Sequence, residues 1–251
     1  MQENWLGGSD DFSSADGPMT LHIVLPAADS DSLVWVTDDV FSLGFDNAGS
    51  LDKIAYSERR HFACSAWGNY ALVLREELTR RISAESLEMS SVEDVKGFLQ
   101  TFASAMIGSL AIKTTPSVRD NPGLILVTLA DGHPRIYCCI LGQFPVAVQV
   151  NKLTCMGDEN SPARIFADYY YEMSGKSIDQ VLFLGIHAMR LAHQNKAAFI
   201  GEPNAWVYRG GIFRRLTTLE LAAYIAKSKS LDASIAAYAD LPSKAAEGAN
   251  S

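Results

Sequence analysis

In the stretch DGPMTLHIVLP (16–26), Thr20 follows Met19 directly and opens an apolar run with strand character. A threonine hydroxyl is a weak nucleophile unless a base sits beside it. At a chain start, the residue's own α-amine can take the hydroxyl proton. Local geometry brings two further groups near. TLHIVL (20–25) and SLVWVT (32–37) are β-rich runs separated by the turn chemistry of PAADSD. If Leu25 and Leu33 flank that turn symmetrically, the antiparallel register sets Asp38 across from Thr20, within about 5.5 Å at the Cβ atoms. Lys53 heads the next strand, after the loop SLGFDNAGSLD (42–52). An ammonium beside the amine disfavours further positive charge. Lys53 would therefore hold the amine and hydroxyl pKa values down, with Asp38 keeping Lys53 charged and oriented.

Each residue type also has an ordinary role: threonine builds strands, aspartate ends them and lysine guards sheet edges. What points to catalysis is their conjunction with the Gly-, Ser- and Asp-rich preface before Thr20. Other chemistry is poorly supported. Cys64, Cys138, Cys139 and Cys155 form no CxxC pair, and Cys138 and Cys139 are adjacent in a strand-like run, so they face opposite ways. His22, His61, His133, His187 and His193 are scattered, and the spacing of His187 and His193 does not share one helix face. No metal site and no cofactor are expected, and the thiols read as reduced and mostly buried.

The elements that must position these groups follow from periodicity. KIAYS (53–57) and HFACSA (61–66) predict a second hairpin with the charged ERR at its turn. NYALVLREELTRRI (69–82) and the segment 91–111 carry helical spacing, and Ser91 with Asp94 makes a near capping box. Strands are expected at 123–130, 134–141 and 145–150, with Asp131-Gly132 as a hairpin turn. Helices follow at 161–175, with Ser161 as N-cap, and at 177–196. A last hairpin at 204–209 and 212–216 turns on Gly210-Gly211, and a helix covers 217–229. Hairpin-linked strands alternating with helix pairs predict an α+β fold. Its expected form is a four-layer αββα sandwich of two antiparallel sheets flanked by helix pairs. The expected organisation is a disordered preface over 1–19, one domain over 20–229 and an Ala-rich helical or frayed tail over 230–251.

The chain has 251 residues, a net charge of −8 and 48% hydrophobic residues. Such acidity argues against nucleic acid or an anionic membrane as the main partner. No apolar run is long enough to span a bilayer, and Met-Gln-Glu-Asn-Trp has neither the basic nor the apolar region of a secretory signal. A cytoplasmic location is expected.

From Thr20 to about Ile82 the chain resembles the start of a proteasome β-type peptidase, an N-terminal-nucleophile hydrolase of the kind that includes the bacterial proteasome homologues. The resemblance rests on the Thr-led strand, LVWVTDD (33–39), LDKIAYS (51–57) and the passage FACSAWGNYALVL (62–74). The later helix pair and GEPNAWVYRGG (201–211) also stand in the family's order. The resemblance implies an N-terminal-nucleophile αββα sandwich that cleaves peptide bonds in peptides or unfolded proteins. It also implies stacked homo-oligomeric rings, usually fed by an ATP-driven unfoldase. It carries Thr20 over as nucleophile, Asp38 as the paired carboxylate and Lys53 as the tuning lysine, with the backbone N–H near Ala66 as oxyanion donor. Ser65-Ala66-Trp67 replaces the family's usual glycine pair, and Trp67 is expected to crowd the substrate cleft. MGDEN (156–160) replaces a Gly-Ser-Gly turn, with Asp158 in place of the hydroxyl. The family's further aspartate has no clear match in HQNKAAFIGEP (193–203).

Two routes would expose Thr20: self-cleavage of the preface, or a start at Met19 followed by methionine trimming. Two other functions compete with the peptidase. One is a non-catalytic ring subunit or scaffold, and the other is an amidase of the same mechanistic class acting on small amides. A decayed site has no reason to keep Thr20, Asp38 and Lys53 together, which favours catalysis.

Overall fold

The computed structural model describes residues 20–43, 46–50, 52–57, 61–68, 70–84, 90–114, 121–157, 162–194 and 200–239. The chain opens with strands β1 (Leu21–Pro26), β2 (Ser32–Asp38), β3 (Val40–Leu43), β4 (Asp46–Ser50), β5 (Ala55–Ser57) and β6 (Phe62–Trp67). Helices α1 (Ala71–Ala84) and α2 (Val92–Ser109) follow, then β7 (Gly123–Ala130), β8 (His133–Ile140), β9 (Val146–Val150) and β10 (Thr154–Gly157). The chain continues through α3 (Pro162–Met173), α4 (Ile178–Gln194), β11 (Pro203–Arg209), β12 (Ile212–Arg215) and α5 (Thr218–Ala239). Two five-stranded antiparallel sheets result, in the orders β10-β1-β2-β11-β12 and β5-β6-β7-β8-β9, with β3-β4 as a separate ribbon.

Local chemistry sets these elements. Asp131 and Gly132 turn with φ of 52° and 78°, and Gly210 and Gly211 with 58° and 84°, the left-handed pair that a tight hairpin demands. Ser91 and Asp94 close a capping box at the start of α2. Ser177 and Gln180 do the same for α4, through Gln180 N–H to Ser177 Oγ at 3.3 Å and Ser177 N–H to Gln180 Oε1 at 3.0 Å.

Side-chain alternation then builds the layers. On β1, Leu21, Ile23 and Leu25 face α3 and α4, while Val24 faces the other sheet. On β6, Phe62, Cys64 and Ala66 face α1 and α2, while Ala63 and Trp67 face inward. Trp35, Trp206, Phe213, Ile125 and Val127 fill the space between the sheets. The architecture is the αββα sandwich expected, an α+β fold, with α5 laid against α4 as an extra helix.

The structure corrects four details. The first hairpin pairs Leu25 with Val34 and Pro26 with Leu33, one residue off the symmetric reading, because the turn closes through Ala27 N–H to Ser32 C=O at 2.9 Å. Asp38 therefore falls across from Leu21, not Thr20. The stretch read as a loop over 42–52 contains most of the ribbon β3-β4. Strand β10 was not anticipated, since TCMG carries no alternation long enough to see. Strand β5 begins at Ala55, so Lys53 stands ahead of the strand it was expected to head, while α5 runs to Ala239 and takes in the first ten residues of the tail expected to be helical or frayed. The ERR turn, the Ser161 cap and the segments 1–19 and 240–251 lie outside the described residues.

Candidate active site

The first strand sets the phase. Leu21 and Ile23 point to the helices, His22 and Val24 point to the other sheet, and Thr20, one residue ahead of β1, continues the inward phase. Asp38 ends β2 on the helix side, in phase with Val34 and Val36. Opposite strand faces would keep the hydroxyl and carboxylate apart. Lys53 bridges them: its Nζ donates to Thr20 Oγ1 at 3.0 Å and to Asp38 Oδ1 at 2.7 Å. The Lys53 and Asp38 side chains are 7% and 0% exposed, so this ion pair is not screened by solvent.

Asp38 is satisfied on all sides. Oδ1 also accepts the Leu21 N–H at 3.2 Å, and Oδ2 accepts the Gly201 N–H at 3.2 Å. Thr37 Oγ1 ties the same corner by donating to Leu21 C=O at 3.1 Å. Burial pulls the Lys53 ammonium below its ordinary pKa, and the charges of Asp38 and Asp39 pull the other way. A lysine so placed can donate to the threonine oxygen and stabilise negative charge developing on it.

Behind Lys53 lies a buried chain of donors. Trp35 Nε1–H donates to His22 Nδ1 at 3.3 Å. Ser65 Oγ donates to Lys53 C=O at 2.7 Å and lies 3.1 Å from His22 Nε2. Since the Ser65 proton is committed to Lys53, the Nε2–H of His22 must donate to Ser65 Oγ. The inventory makes His22 a neutral imidazole. Its burial drops its pKa to about 3, helped by the charge of Lys53, while a backbone hydrogen bond to Ala66 works the other way.

The structure brings Thr20, Lys53 and Asp38 together. Ala66 lies near the end of β6, 5% exposed, and Asp158 lies outside the described residues. Trp67 does not stand in a cleft. It points between the sheets, 9% exposed, against Gly123, where an added Cβ would meet its ring at 2.0 Å. His22, Ser65 and Gly201 were not singled out by the sequence reading. For His22 the signal was available, because a histidine two residues after Thr20 shares its face. For Ser65 and Gly201 none was, since both act through contacts far along the chain. The four cysteines are unpaired and buried, with thiols pushed up to about 11 or 12. Among the described residues, no helix is long and apolar enough to cross a membrane.

Two antiparallel five-stranded sheets, sandwiched between helix layers, match the proteasome-like fold. Solved structures similar to the chain include Anbu (ancestral beta-subunit) from Yersinia bercovieri, at a TM-score of 0.67 and 14% identity over 89% of this chain and 98% of that one. An Anbu (Gly-1) mutant from Hyphomicrobium sp. strain MC1 matches at a TM-score of 0.63 and 13% identity, over 89% and 98%. At such identities the likeness is one of fold. No family model and no curated protein matches the sequence.

Proposed function

We propose that the chain is a threonine peptidase of the proteasome-like class, working from Thr20 as an N-terminal nucleophile inside a self-assembled ring. The observation that carries this reading is the buried Lys53 bonded to both Thr20 Oγ1 and Asp38 Oδ1. Removal of residues 1–19 frees the Thr20 α-amine. That amine takes the Oγ1 proton as the oxygen attacks a peptide carbonyl, and the Lys53 ammonium steadies the charge on Oγ1. Backbone N–H groups near Ala66 receive the oxyanion. The α-ammonium then returns the proton to the leaving amine as the C–N bond breaks. Water, deprotonated by the same α-amine, hydrolyses the resulting ester. Asp158 takes the place of the hydroxyl in the family's Gly-Ser-Gly turn. The ring is built from copies of this chain, sits in the cytoplasm and receives unfolded protein from an ATP-dependent unfoldase.

The test pairs intact mass with turnover of a peptide substrate, for wild type and Thr20→Ala. A wild-type chain beginning at Thr20 that hydrolyses peptide, beside an inert Thr20→Ala chain, is the expected result. Retention of residues 1–19 in the purified assembly would block the amine and leave the scaffold reading. Turnover of small amides without peptide hydrolysis would favour the amidase.

A further inference from the structure

Lys53 is the pivot of the site, yet it belongs to no strand. Residues 52–54 precede β5 and make no ladder bonds, so other elements must fix their backbone. Three do so. Arg75 of α1 donates to the Asp52 carbonyl, Arg215 of β12 holds the Asp52 carboxylate at 2.6 Å, and Ser65 of β6 holds the Lys53 carbonyl at 2.7 Å. The two arginine contacts lie at the exposed rim, where such bonds are worth little. The Ser65 contact is buried and stands at the end of the one-way chain Trp35 to His22 to Ser65 to Lys53. Trp35, His22 and Ser65 are 0%, 0% and 1% exposed. In that dry setting each donor polarises the next, and no water can substitute for a missing member.

We infer that His22 and Ser65 are positioning residues for the proposed peptidase, holding the Lys53 backbone so that its ammonium stays between Thr20 and Asp38. This inference rests on the peptidase reading above. His22 contributes as a fixed neutral imidazole that accepts from Trp35 and donates to Ser65, so its role is geometric and involves no proton transfer. Because Thr20 immediately precedes β1 and His22 is that strand's second residue, the nucleophile and the anchor of its lysine move as one body.

The test compares Ser65→Ala, His22→Leu and His22→Gln in the assembled, matured protein, with Thr20→Ala and Lys53→Met as controls. Glutamine keeps one donor and one acceptor at position 22, and leucine keeps neither. Ser65→Ala and His22→Leu should lower kcat about 10- to 100-fold with KM little changed, as a misplaced catalytic group does, and His22→Gln should recover most of it. The acid limb of the kcat/KM profile should also move up by about half a unit or more, because an ammonium drawn away from the Thr20 amine no longer depresses its pKa. A merely structural role would not move that limb. If Ser65→Ala does not fold, Ser65→Cys, a weak donor of similar size, is read for the same displacement. Wild-type kcat and an unmoved limb in these variants would overturn the inference while the controls remain inert. Controls that turn over normally would overturn the peptidase reading itself, and this inference with it.

Discussion

At the scale of single residues, the site is a carboxylate and a hydroxyl on opposite strand faces, joined by one lysine. Lys53→Met should abolish turnover at modest cost to the fold, because Asp38 keeps the Leu21 and Gly201 N–H donors. Asp38→Ala should do the reverse to the balance of effects. It leaves the buried ammonium without its carboxylate, and urea unfolding should show a loss of about 3 kcal/mol. His22 predicts a pH dependence of stability. In the fold it stays neutral down to a pKa of about 3, whereas in the unfolded chain it takes a proton near its ordinary 6.5. Below pH 6.5 the unfolded state therefore binds more protons, and stability falls as the pH falls. Between pH 7 and pH 5 the loss from this one residue should be about 2 kcal/mol, readable in urea midpoints, and a flat profile would contradict the neutral assignment.

At the scale of elements, two close fits hold the layers. Helix α4 rides on β1 and β2 at Gly185, where an added Cβ would lie 2.8 Å from Val36 Cγ2 and 3.0 Å from Leu25 Cδ1. Helix α5 is pinned to α4 at Ser228, whose Oγ lies 2.6 Å from His187 Nδ1 and accepts Arg190 Nε–H at 2.6 Å, with Asp232 closing on Arg190. Ser228→Ala leaves both nitrogens buried without that partner and should cost about 1–3 kcal/mol in thermal or urea unfolding. The sequence displayed most of these elements. The continuous β-rich apolar run GLILVTLA, helical spacing over 177–196 and the left-handed turn pairs are local signals, and the sandwich followed from their order. What stayed hidden was non-local or short. The four-residue β10 has meaning only as the partner of β1. The seating of α5 on α4 rests on the Ser228 and Asp232 contacts, whose partners lie about 40 positions away in the chain. The site was legible for a partly mistaken reason. The register placed Asp38 across from Thr20, whereas the real link runs through Lys53, and the Gly201 contact spans 163 positions.

At the scale of the whole molecule, a ring requires surface that a lone chain exposes to water. Ile165, Tyr169 and Met173 on α3 are 74%, 59% and 68% exposed, and Leu219 and Tyr238 on α5 are 83% and 80% exposed. Apolar side chains in such number on the outer helix layer are what self-association would cover. Native mass measurement should accordingly return a multiple of the mass of the chain that begins at Thr20, which is lighter than the 27.3 kDa of the full chain, and a monomer at micromolar concentration would contradict the ring.

The fit of Trp67 against Gly123 constrains how this sheet pair can change over generations. With tryptophan in place, any side chain at 123 meets the indole, so Gly123→Ala should unfold the protein more than about 1 kcal/mol more easily. With a small residue at 67, alanine at 123 has room. The two positions are thus coupled by order as well as by contact: glycine must be present before tryptophan can enter, and tryptophan must leave before glycine can be lost.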